Sequence, residues 1–524
     1  MNQSIGLDFG TSNTLIALSD ESTSISLPEF ARLYTQGDRQ IELIPSLIHY
    51  AADGRRWIGS QVLDKDLYSS NRTLRWMKRY ISQRSPLKMS LDGREITPAS
   101  ADADFLATLL GFTRAQMPVS IDSIGMSVPV DAYEHYETWL TGVIHQAGFS
   151  SFRLIDEPSA AALGYGEHIQ PGSVYLVFDF GGGTLHAGVV IIEEENKTPS
   201  SRRCRVLGKA SREIGGSSID RWLYEYVLSA NGLSAEREEV RLVSNQILVA
   251  CERAKEVLSL NEQAQIDFDF PGSASIQTVL TRQNFEEILE RRQLFFEINQ
   301  TLRSALNSAR ERGYPEESIQ SILMVGGSSL IPAVRKSIQQ SFGPDRVHAD
   351  RPMDAIVRGA ARLAGGANFY DFIQHDYAIR FTNPDSGEYA YKTIVQKGTP
   401  YPSAEAEAVL SIKGAFDGQQ KLGIAIFEVG ASAAGGKEEV ELVFDPQGYA
   451  RIMPVTALDQ EKRSYFWMNE NQLTFIEAFP PALQGEPRFE VKFYINQNKQ
   501  LLVSVVDLKR DCMVLDRTPV VKLS

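Results

Sequence analysis

Apolar and polar residues follow the same pattern in two separate stretches of the chain, residues 5–18 and residues 176–192. Each stretch has an apolar run, an aspartate, a glycine turn that contains threonine, and a second apolar run. Apolar runs beside glycine predict β-strands, so each stretch is predicted to form a hairpin whose first strand ends near Asp8 or Asp179. Two hairpins separated by about the length of a domain predict a duplicated α/β domain.

The residues around these hairpins alternate between strand and helix patterns. Apolar runs predict strands at residues 123–129, 152–155 and 319–325. Helical stretches are predicted at residues 131–147, 158–165, 219–230, 240–260, 284–313 and 332–342. Alternation of this kind indicates mainly parallel sheets covered by helices.

The pattern changes near residue 366, and after residue 376 short β-rich stretches replace the long helical periods. Strands are predicted at residues 391–395, 406–412, 422–429, 440–444, 489–495 and 501–506. We therefore expect an α/β domain at 1–366, a connector at 367–375 and a β-sandwich-like domain at 376–524. The connector is apolar, which favours docking over a free linker; its apolar residues are Phe369, Tyr370, Phe372 and Ile373. Five aromatic residues of the β-rich domain are expected in its core: Tyr465, Phe466, Trp467, Phe475 and Phe479.

Composition narrows the range of partners and compartments. The chain has 524 residues and a formal net charge of −13, which argues against non-specific binding to nucleic acid or to an anionic membrane. The three cysteines are far apart and lack metal-ligand spacing, so neither a zinc site nor a disulfide framework is expected. No apolar run is long enough to span a membrane and no signal segment opens the chain, so a cytoplasmic protein is expected.

The two glycine turns have the chemistry of phosphate binding. Glycine lets the backbone approach an anion and present successive N–H groups, and nearby hydroxyls add further donors. The residues concerned are Gly10, Thr11, Ser12 and Asn13 in the first turn and Gly181, Gly182, Gly183 and Thr184 in the second. Asp8 and Asp179 fit a Mg²⁺ ion that they would hold through its waters. Two further segments, Gly215-Gly216 and Gly326-Gly327-Ser328, are either simple turns or binding sites for a nucleoside or phosphate at a helix N-terminus.

These four segments, with two more specific ones, resemble the seventy-kilodalton heat-shock chaperone family, the DnaK-type proteins of the actin and hexokinase ATPase superfamily. Residues 155–162, I-D-E-P-S-A-A-A, resemble the family's E-P-[ST]-A-A-A signature. Residues 251–259, beginning C-E-R-A-K, resemble its adenosine-binding helix, and residues 324–332 resemble its adenosine loop. The resemblance covers nearly all of residues 4–366. It implies a duplicated actin-like, ribonuclease H-like ATPase fold that binds ATP or ADP with Mg²⁺.

The resemblance also implies roles for single residues. Asp8 and Asp179 would contact hydrated Mg²⁺, and Thr11, Ser12, Thr184 and the loop amides would hold the β- and γ-phosphates. Lys78 would position the attacking water, although without the resemblance it is a solvated helix charge. Glu157 would orient water and Mg²⁺, and Pro129 resembles the family's switch proline. Glu252, Lys255 and Ser259 share one helical face and would bond the adenosine.

The chain departs from the family at two residues of the expected nucleotide site and at its C-terminal end. His186 stands where the family usually has an aspartate of the metal and water network, so we expect slow hydrolysis with nucleotide binding intact. Leu330 replaces an arginine that stacks on adenine, which predicts weaker nucleotide affinity. The chain stops at Ser524, just after the β-rich domain, so the family's helical lid is expected to be absent.

Three functions remain open from the sequence. The first is a divergent ATPase chaperone that binds unfolded or partner polypeptides, with a J-domain co-chaperone and a nucleotide exchange factor implied by the family. The second is a small-molecule kinase of the same superfamily, against which E-P-S-A-A-A and C-E-R-A-K argue. The third is a nucleotide-gated scaffold or regulatory protein with little hydrolysis, which His186 favours.

Overall fold

The computed structural model describes residues 3–19, 25–36, 38–117, 121–130, 132–166, 169–194, 202–270, 276–382, 388–430, 440–454, 464–470, 474–496 and 499–524. The chain forms two compact units. The first consists of Met1–Val130, Trp139–Tyr370 and Val440–Pro454, and the second of Asp131–Thr138, Asp371–Glu439 and Val455–Ser524. The first unit differs from the predicted range 1–366 because it lacks residues 131–138 and gains residues 440–454, and the predicted connector 367–375 is divided between the two units after Tyr370.

The first part of the chain forms a sheet with small accessory strands and helices. Its elements are β1 (Gln3–Phe9), β2 (Asn13–Leu18), β3 (Arg32–Gln36), β4 (Arg39–Pro45), β5 (Ile48–Tyr50), β6 (Arg56–Ile58), α1 (Ser60–Asp64), β7 (Thr73–Leu74), α2 (Met77–Ser82), β8 (Met89–Leu91), β9 (Arg94–Ile96), α3 (Pro98–Gln116), β10 (Ile121–Val128), α4 (Glu134–Gln146) and β11 (Ser151–Asp156). The strand order is β11-β10-β1-β2-β4-β3. We call this sheet, with α1 to α3 and β5 to β9, the first lobe.

The second part repeats the arrangement. Its elements are α5 (Glu157–Gly164), β12 (Val174–Phe180), β13 (Leu185–Glu194), β14 (Arg202–Arg212), α6 (Gly216–Ala230), α7 (Glu238–Leu260), β15 (Gln263–Phe268), β16 (Ile276–Thr281), α8 (Arg282–Arg291), α9 (Leu294–Glu311), β17 (Ile319–Val325), α10 (Pro332–Phe342), β18 (Val347–His348), α11 (Ala355–Ala364) and β19 (Asn368–Tyr370). The strand order is β18-β17-β12-β13-β14-β19. We call this sheet, with α6 to α10 and the β15–β16 pair, the second lobe.

The two sheets have matching centres. In each, an antiparallel hairpin lies beside two parallel strands: β1–β2 beside β10 and β11, and β12–β13 beside β17 and β18. All residues of β12 are buried, as expected for a strand covered on both faces. The two predicted hairpins are therefore present, and each ends in one of the glycine turns.

Helices α5 and α11 pack closely against each other, with α5 against the second sheet and α11 against the first. Their contact is made by glycine and alanine. A Cβ on Gly359 would lie 1.7 Å from the carbonyl oxygen of Ala160, and a Cβ on Gly164 would lie 1.8 Å from that of Ala355. Such close approach of two helix backbones requires the absence of a side chain at both glycines.

The second unit is built from strands. Their bounds are β20 (Asp376–Thr382), β21 (Tyr389–Val395), β22 (Ala408–Lys413), β23 (Gln419–Ile424), β24 (Ile426–Val429), β27 (Tyr465–Trp467), β28 (Thr474–Ala482), β29 (Pro487–Ile495), β30 (Gln500–Asp507) and β31 (Cys512–Lys522). The sheets β21-β20-β24-β27 and β22-β29-β30-β31 and the pair β23-β28 share one core. The remaining strands, β25 (Val440–Phe444) and β26 (Ala450–Pro454), form a hairpin that belongs to the first unit.

Three predictions about local structure were wrong. The single helix at 284–313 is two helices, α8 and α9, because Gln293 takes a left-handed conformation with φ 59°. The single strand at 422–429 is interrupted after Ile424: β23 pairs with β28, whereas β24 pairs with β20 and β27. Of the five aromatic residues expected in the core, Phe466 is buried and Trp467 is half-buried, but Tyr465, Phe475 and Phe479 are 37%, 54% and 76% exposed. Phe475 and Phe479 lie on β28, where they alternate with the buried Ile476 and Ala478 and therefore point away from the core.

The remaining predicted helices and strands occur with small shifts in their ends. The helix predicted at 131–147 is α4, and residue 131 lies outside the described residues. Within the described part of the chain, every helix is too short or too polar to cross a membrane.

Candidate functional site

The two predicted phosphate turns face each other. A Cβ on Gly182 would lie 2.2 Å from Ser12 Oγ, and a Cβ on Gly183 would lie 2.6 Å from Thr11 Oγ1. The two turns therefore approach each other so closely that only glycine fits at positions 182 and 183. Their backbones and the Thr11 and Ser12 hydroxyls are brought to one place, although the two turns are a domain length apart in sequence.

The two further glycine segments, at Gly215-Gly216 and Gly326-Gly327-Ser328, both lie against the second phosphate turn. From the sequence, each could be a simple turn or a binding site for a nucleoside or phosphate. Gly216 N–H donates to Gly181 O at 3.0 Å, and Ser217 N–H donates to Gly182 O at 2.8 Å. Ser328 Oγ donates to the same Gly181 oxygen at 2.9 Å. The beginning of α6 and the turn after β17 thus hold the second phosphate turn in its conformation.

A cleft of about 880 Å³ opens between the lobes at these turns. Most of the predicted site residues line it: Asp8, Gly10, Thr11, Ser12, Asn13, Lys78, Glu157, Asp179, Gly181, Gly182, Gly183, Thr184, Gly216, Glu252, Lys255, Ser259, Gly326, Gly327 and Ser328. Gly215 is not in the lining, because it lies behind the second turn, where a Cβ would come within 2.5 Å of Gly183 C. Pro129 also lies outside the lining; it is buried directly after β10.

Glu157 is the centre of a buried charge cluster at the bottom of the cleft. Asp156 caps α5 by accepting from Ser159 N–H at 2.9 Å, which fixes Glu157 as the first residue of the helix. The Glu157 carboxylate binds Lys78 Nζ through Oε1 and His186 Nε2, at 3.1 Å, through Oε2. All three side chains are at least nine-tenths buried.

The two predicted metal carboxylates lie in the same cluster, and burial shifts both. Burial raises the pKa of Asp8 to about 6, opposed by the charge of Lys78 and by a 2.7 Å hydrogen bond from Ser127 Oγ. Burial, together with the charge of Glu157, raises the pKa of Asp179 to about 7. Burial alone would also raise the pKa of Glu157, but Lys78 and His186 outweigh it and hold that pKa below its ordinary value.

These residues fit a hydrated Mg²⁺ better than a metal held by protein ligands alone. Among the described residues, no group of three or more His, Cys, Asp and Glu side chains is arranged to hold a metal. Two carboxylates beside amide-rich turns favour an ion that binds through its waters and through phosphate oxygens. A divalent charge there would return both carboxylates to their ionised form.

The predicted adenosine face of α7 is held by partners from both lobes. Tyr68 OH of the first lobe donates to Glu252 Oε2. Lys255 Nζ pairs with Asp220 at 2.7 Å and donates to Gly216 O at 3.3 Å. Ser259 Oγ donates to Lys255 O at 3.1 Å, so its hydroxyl is bound to its own helix.

Several residues at the site were not found from the sequence. Ser127 contacts Asp8, Tyr68 and Asp220 anchor α7, and Arg75 lines the cleft in a nearly fully buried position. The pairing of His186 with Glu157 was also missed, although the position of His186 had marked it as unusual. None of these residues belongs to a motif, and contacts between segments far apart in sequence bring them to their partners.

Two comparisons with known proteins found matches to this chain. A family model described as "Hsp70 protein" matches residues 4–376. The chain is 24% identical over 531 residues to the "Chaperone protein HscA homolog" of Polynucleobacter asymbioticus, an alignment that covers 96% of this chain and 76% of that protein.

Proposed function

Since the chain belongs to the Hsp70 family, a family of chaperones whose members are ATPases, we propose that it is an ATP-driven chaperone-like protein. It binds ATP or ADP with Mg²⁺ and hydrolyses ATP. Its nucleotide state controls the binding of unfolded or partner polypeptides.

The observation that carries this proposal is the buried array of Lys78, Glu157 and His186 beneath two facing glycine turns. Phosphoryl transfer to water needs positioning and charge neutralisation more than covalent chemistry. The amides of both turns and the hydroxyls of Thr11, Ser12 and Thr184 bind the β- and γ-phosphates. A bound Mg²⁺ supplies charge neutralisation to those phosphates, and Asp8 and Asp179 hold its waters.

Lys78 and Glu157 position the attacking water. Each oxygen of the Glu157 carboxylate has two lone-pair sites and uses one of them, for Lys78 or for His186. One site on each oxygen therefore stays available for water. Because Lys78 and His186 hold the carboxylate from both sides, they fix its orientation toward the turns.

His186 favours a second candidate, a nucleotide-gated binding protein with little hydrolysis. It is buried beside Glu157, at a position where a carboxylate would add negative charge to the metal and water network. An imidazole cannot supply that charge, so nucleotide binding and hydrolysis become separable in this chain.

The second unit offers apolar side chains for a polypeptide. Phe416, Phe475 and Phe479 are 57%, 54% and 76% exposed, all on or beside the β23–β28 pair. Large exposed aromatic residues are typical of surfaces that bind other proteins. A J-domain co-chaperone and a nucleotide exchange factor are the further partners we propose from the family.

Nucleotide binding and turnover test the proposal. The purified protein is first analysed for bound nucleotide, and ATP and ADP affinities are then measured by calorimetry with and without Mg²⁺. ATP turnover is followed with and without a permanently unfolded polypeptide. Turnover stimulated by the polypeptide supports the chaperone, binding without turnover supports the gated binding protein, and phosphate transfer to a sugar indicates a kinase. Failure to bind either nucleotide refutes the proposal.

A further inference from the structure

The β25–β26 hairpin is part of the nucleotide-binding unit, although its sequence lies between β24 and β27 of the second unit. Three of its side chains, Leu442, Phe444 and Ala450, are buried. They belong to one core cluster with Trp76 and Tyr80 of the first lobe and with residues of α6 and α7. The hairpin therefore packs at the place where the two lobes meet.

One set of contacts ties the hairpin to the first lobe. Asn71 Nδ2 donates to Gln447 O at 2.9 Å, and Ser90 N–H donates to Pro446 O at 3.0 Å. Tyr80 OH donates to Leu442 O at 3.0 Å. The ring of Phe444 packs edge-on to Tyr80 with a centroid distance of 6.2 Å.

A second set ties the same hairpin to the second lobe. Asn245 Nδ2 of α7 donates to Gly448 O at 2.9 Å, from a buried position. Arg241 Nη1, one turn earlier on α7, pairs with Asp445 Oδ2 at 2.8 Å. Arg221 of α6 donates to Val440 O. Both ends of the hairpin are thus bound to helices of the second lobe.

Phe444 connects the hairpin to the cleft itself. Its ring lies 5.4 Å from the Arg75 guanidinium and 6.3 Å from the Trp76 ring. Arg75 lines the cleft, is 1% exposed, and its Nε and Nη1 find no hydrogen-bond acceptor among the described residues. Trp76 is the residue before α2, which carries Lys78. The hairpin therefore supports the cleft wall from behind.

We propose that the β25–β26 hairpin is a clasp that holds the two lobes together and sets the rate of nucleotide release. The inference rests on the proposed nucleotide binding, and it adds that the hairpin regulates how fast the nucleotide leaves. Because both lobes line the cleft, a nucleotide leaves when the lobes separate, as in other enzymes that close around a ligand. Separation breaks one of the hairpin's two sets of contacts, so each contact adds to the barrier for release.

The test measures release of a fluorescent ADP analogue, displaced by excess ADP, in the full-length protein. The double variant Arg241→Ala/Asn245→Ala removes second-lobe contacts and leaves the first-lobe contacts intact. Two lost hydrogen bonds of ordinary strength predict release about 10- to 30-fold faster. Asp445→Asn, which retains Oδ1 as acceptor for the Gln447 and Tyr449 amides, should give a smaller acceleration.

Arg205→Ala is the matched control, because it breaks an arginine–carboxylate pair with Glu193 at 3.0 Å inside the second lobe, between β14 and β13. It should leave the release rate unchanged. Phe444→Ala should accelerate ADP release more than the double variant does. If Phe444→Ala does not fold, Arg241→Ala/Asn245→Ala still decides the test. Release at the wild-type rate in a folded double variant that binds ADP overturns the clasp. Absence of ADP binding in the wild type instead refutes the proposed function.

Discussion

His186→Asp should convert this chain into a faster ATPase. The imidazole is buried against Glu157, with 3.1 Å between His186 Nε2 and Glu157 Oε2. An aspartate there would place a further carboxylate beside Asp8, Asp179 and Glu157, with Lys78 as the nearest cation. The added negative charge would strengthen the hold on hydrated Mg²⁺ and on the attacking water.

The size of the effect follows from Coulomb's law. Two unit charges about 4 Å apart interact by about 4 kcal/mol at an effective dielectric constant near 20. Without Mg²⁺ this energy is repulsion between the new carboxylate and Glu157, so the variant should be less stable than the wild type. With Mg²⁺ bound, the new carboxylate also attracts the ion, by an energy of about the same size. If about a third of it favours the transition state over the bound substrate, hydrolysis accelerates about tenfold.

Single-turnover hydrolysis at saturating ATP and Mg²⁺ measures the chemical step apart from product release. His186→Asn is the control, since it changes the side chain without adding charge and should give no acceleration. An Asp variant that binds ATP but hydrolyses it at the wild-type rate would refute the reasoning. Equal acceleration by Asn would show that charge is not the cause.

Three further predictions concern stability. Because Asp8 and Asp179 have raised pKa values of about 6 and about 7, the folded protein binds more protons than the unfolded chain between about pH 4 and pH 7. Without Mg²⁺ and nucleotide, this contribution to the free energy of unfolding should therefore fall as pH rises through that window. Chemical denaturation at several pH values measures the fall, and Asp179→Asn should make the free energy of unfolding depend less on pH. Arg488 and Asp507 form a fully buried ion pair at 2.8 Å, so Arg488→Met, which leaves a buried charge without its partner, should lower the free energy of unfolding by about 3–5 kcal/mol. Arg488→Met/Asp507→Leu removes both charges and should recover most of that loss. Hydrogen exchange of β29 and β30 measures both effects. Gly359→Ala should destabilise by about 3 kcal/mol, because its Cβ would meet Ala160 O, whereas Gly111→Ala, in open space on α3, should stabilise by about 0.5–1 kcal/mol in thermal unfolding.

The sequence was most informative where local pattern and local structure coincide. The hairpins at Asp8 and Asp179 could be predicted because apolar runs, aspartates and glycine turns are contiguous. The lining of the cleft by Glu252 and Lys255 could be anticipated only from the resemblance of residues 251–259 to the family's adenosine-binding helix, because their shared helical face alone indicates a surface salt bridge.

The rest depends on contacts between distant parts of the chain. Helices α8 and α9 follow a continuous amphipathic pattern, and nothing in the residue types around Gln293 marks the change of direction. Tyr68 reaches Glu252 because the lobes approach each other, whereas Asp220 reaches Lys255 because α6 packs on α7 within the second lobe. The exposure of Phe475 and Phe479 depends on which face of β28 packs on the core, and alternation does not specify that face because both faces of the strand carry apolar residues.

The hairpin has a practical consequence for how the protein can be divided. A fragment ending at residue 376, where the family match ends, contains both glycine turns, Lys78 and Glu157, yet lacks Leu442, Phe444 and Ala450. Trp76 and Tyr80 would then lose their packing partners, and Arg75 would lose the ring of Phe444 that now covers it. The first unit of this chain is therefore discontinuous in sequence, and a fragment that is meant to contain the whole unit must include the hairpin.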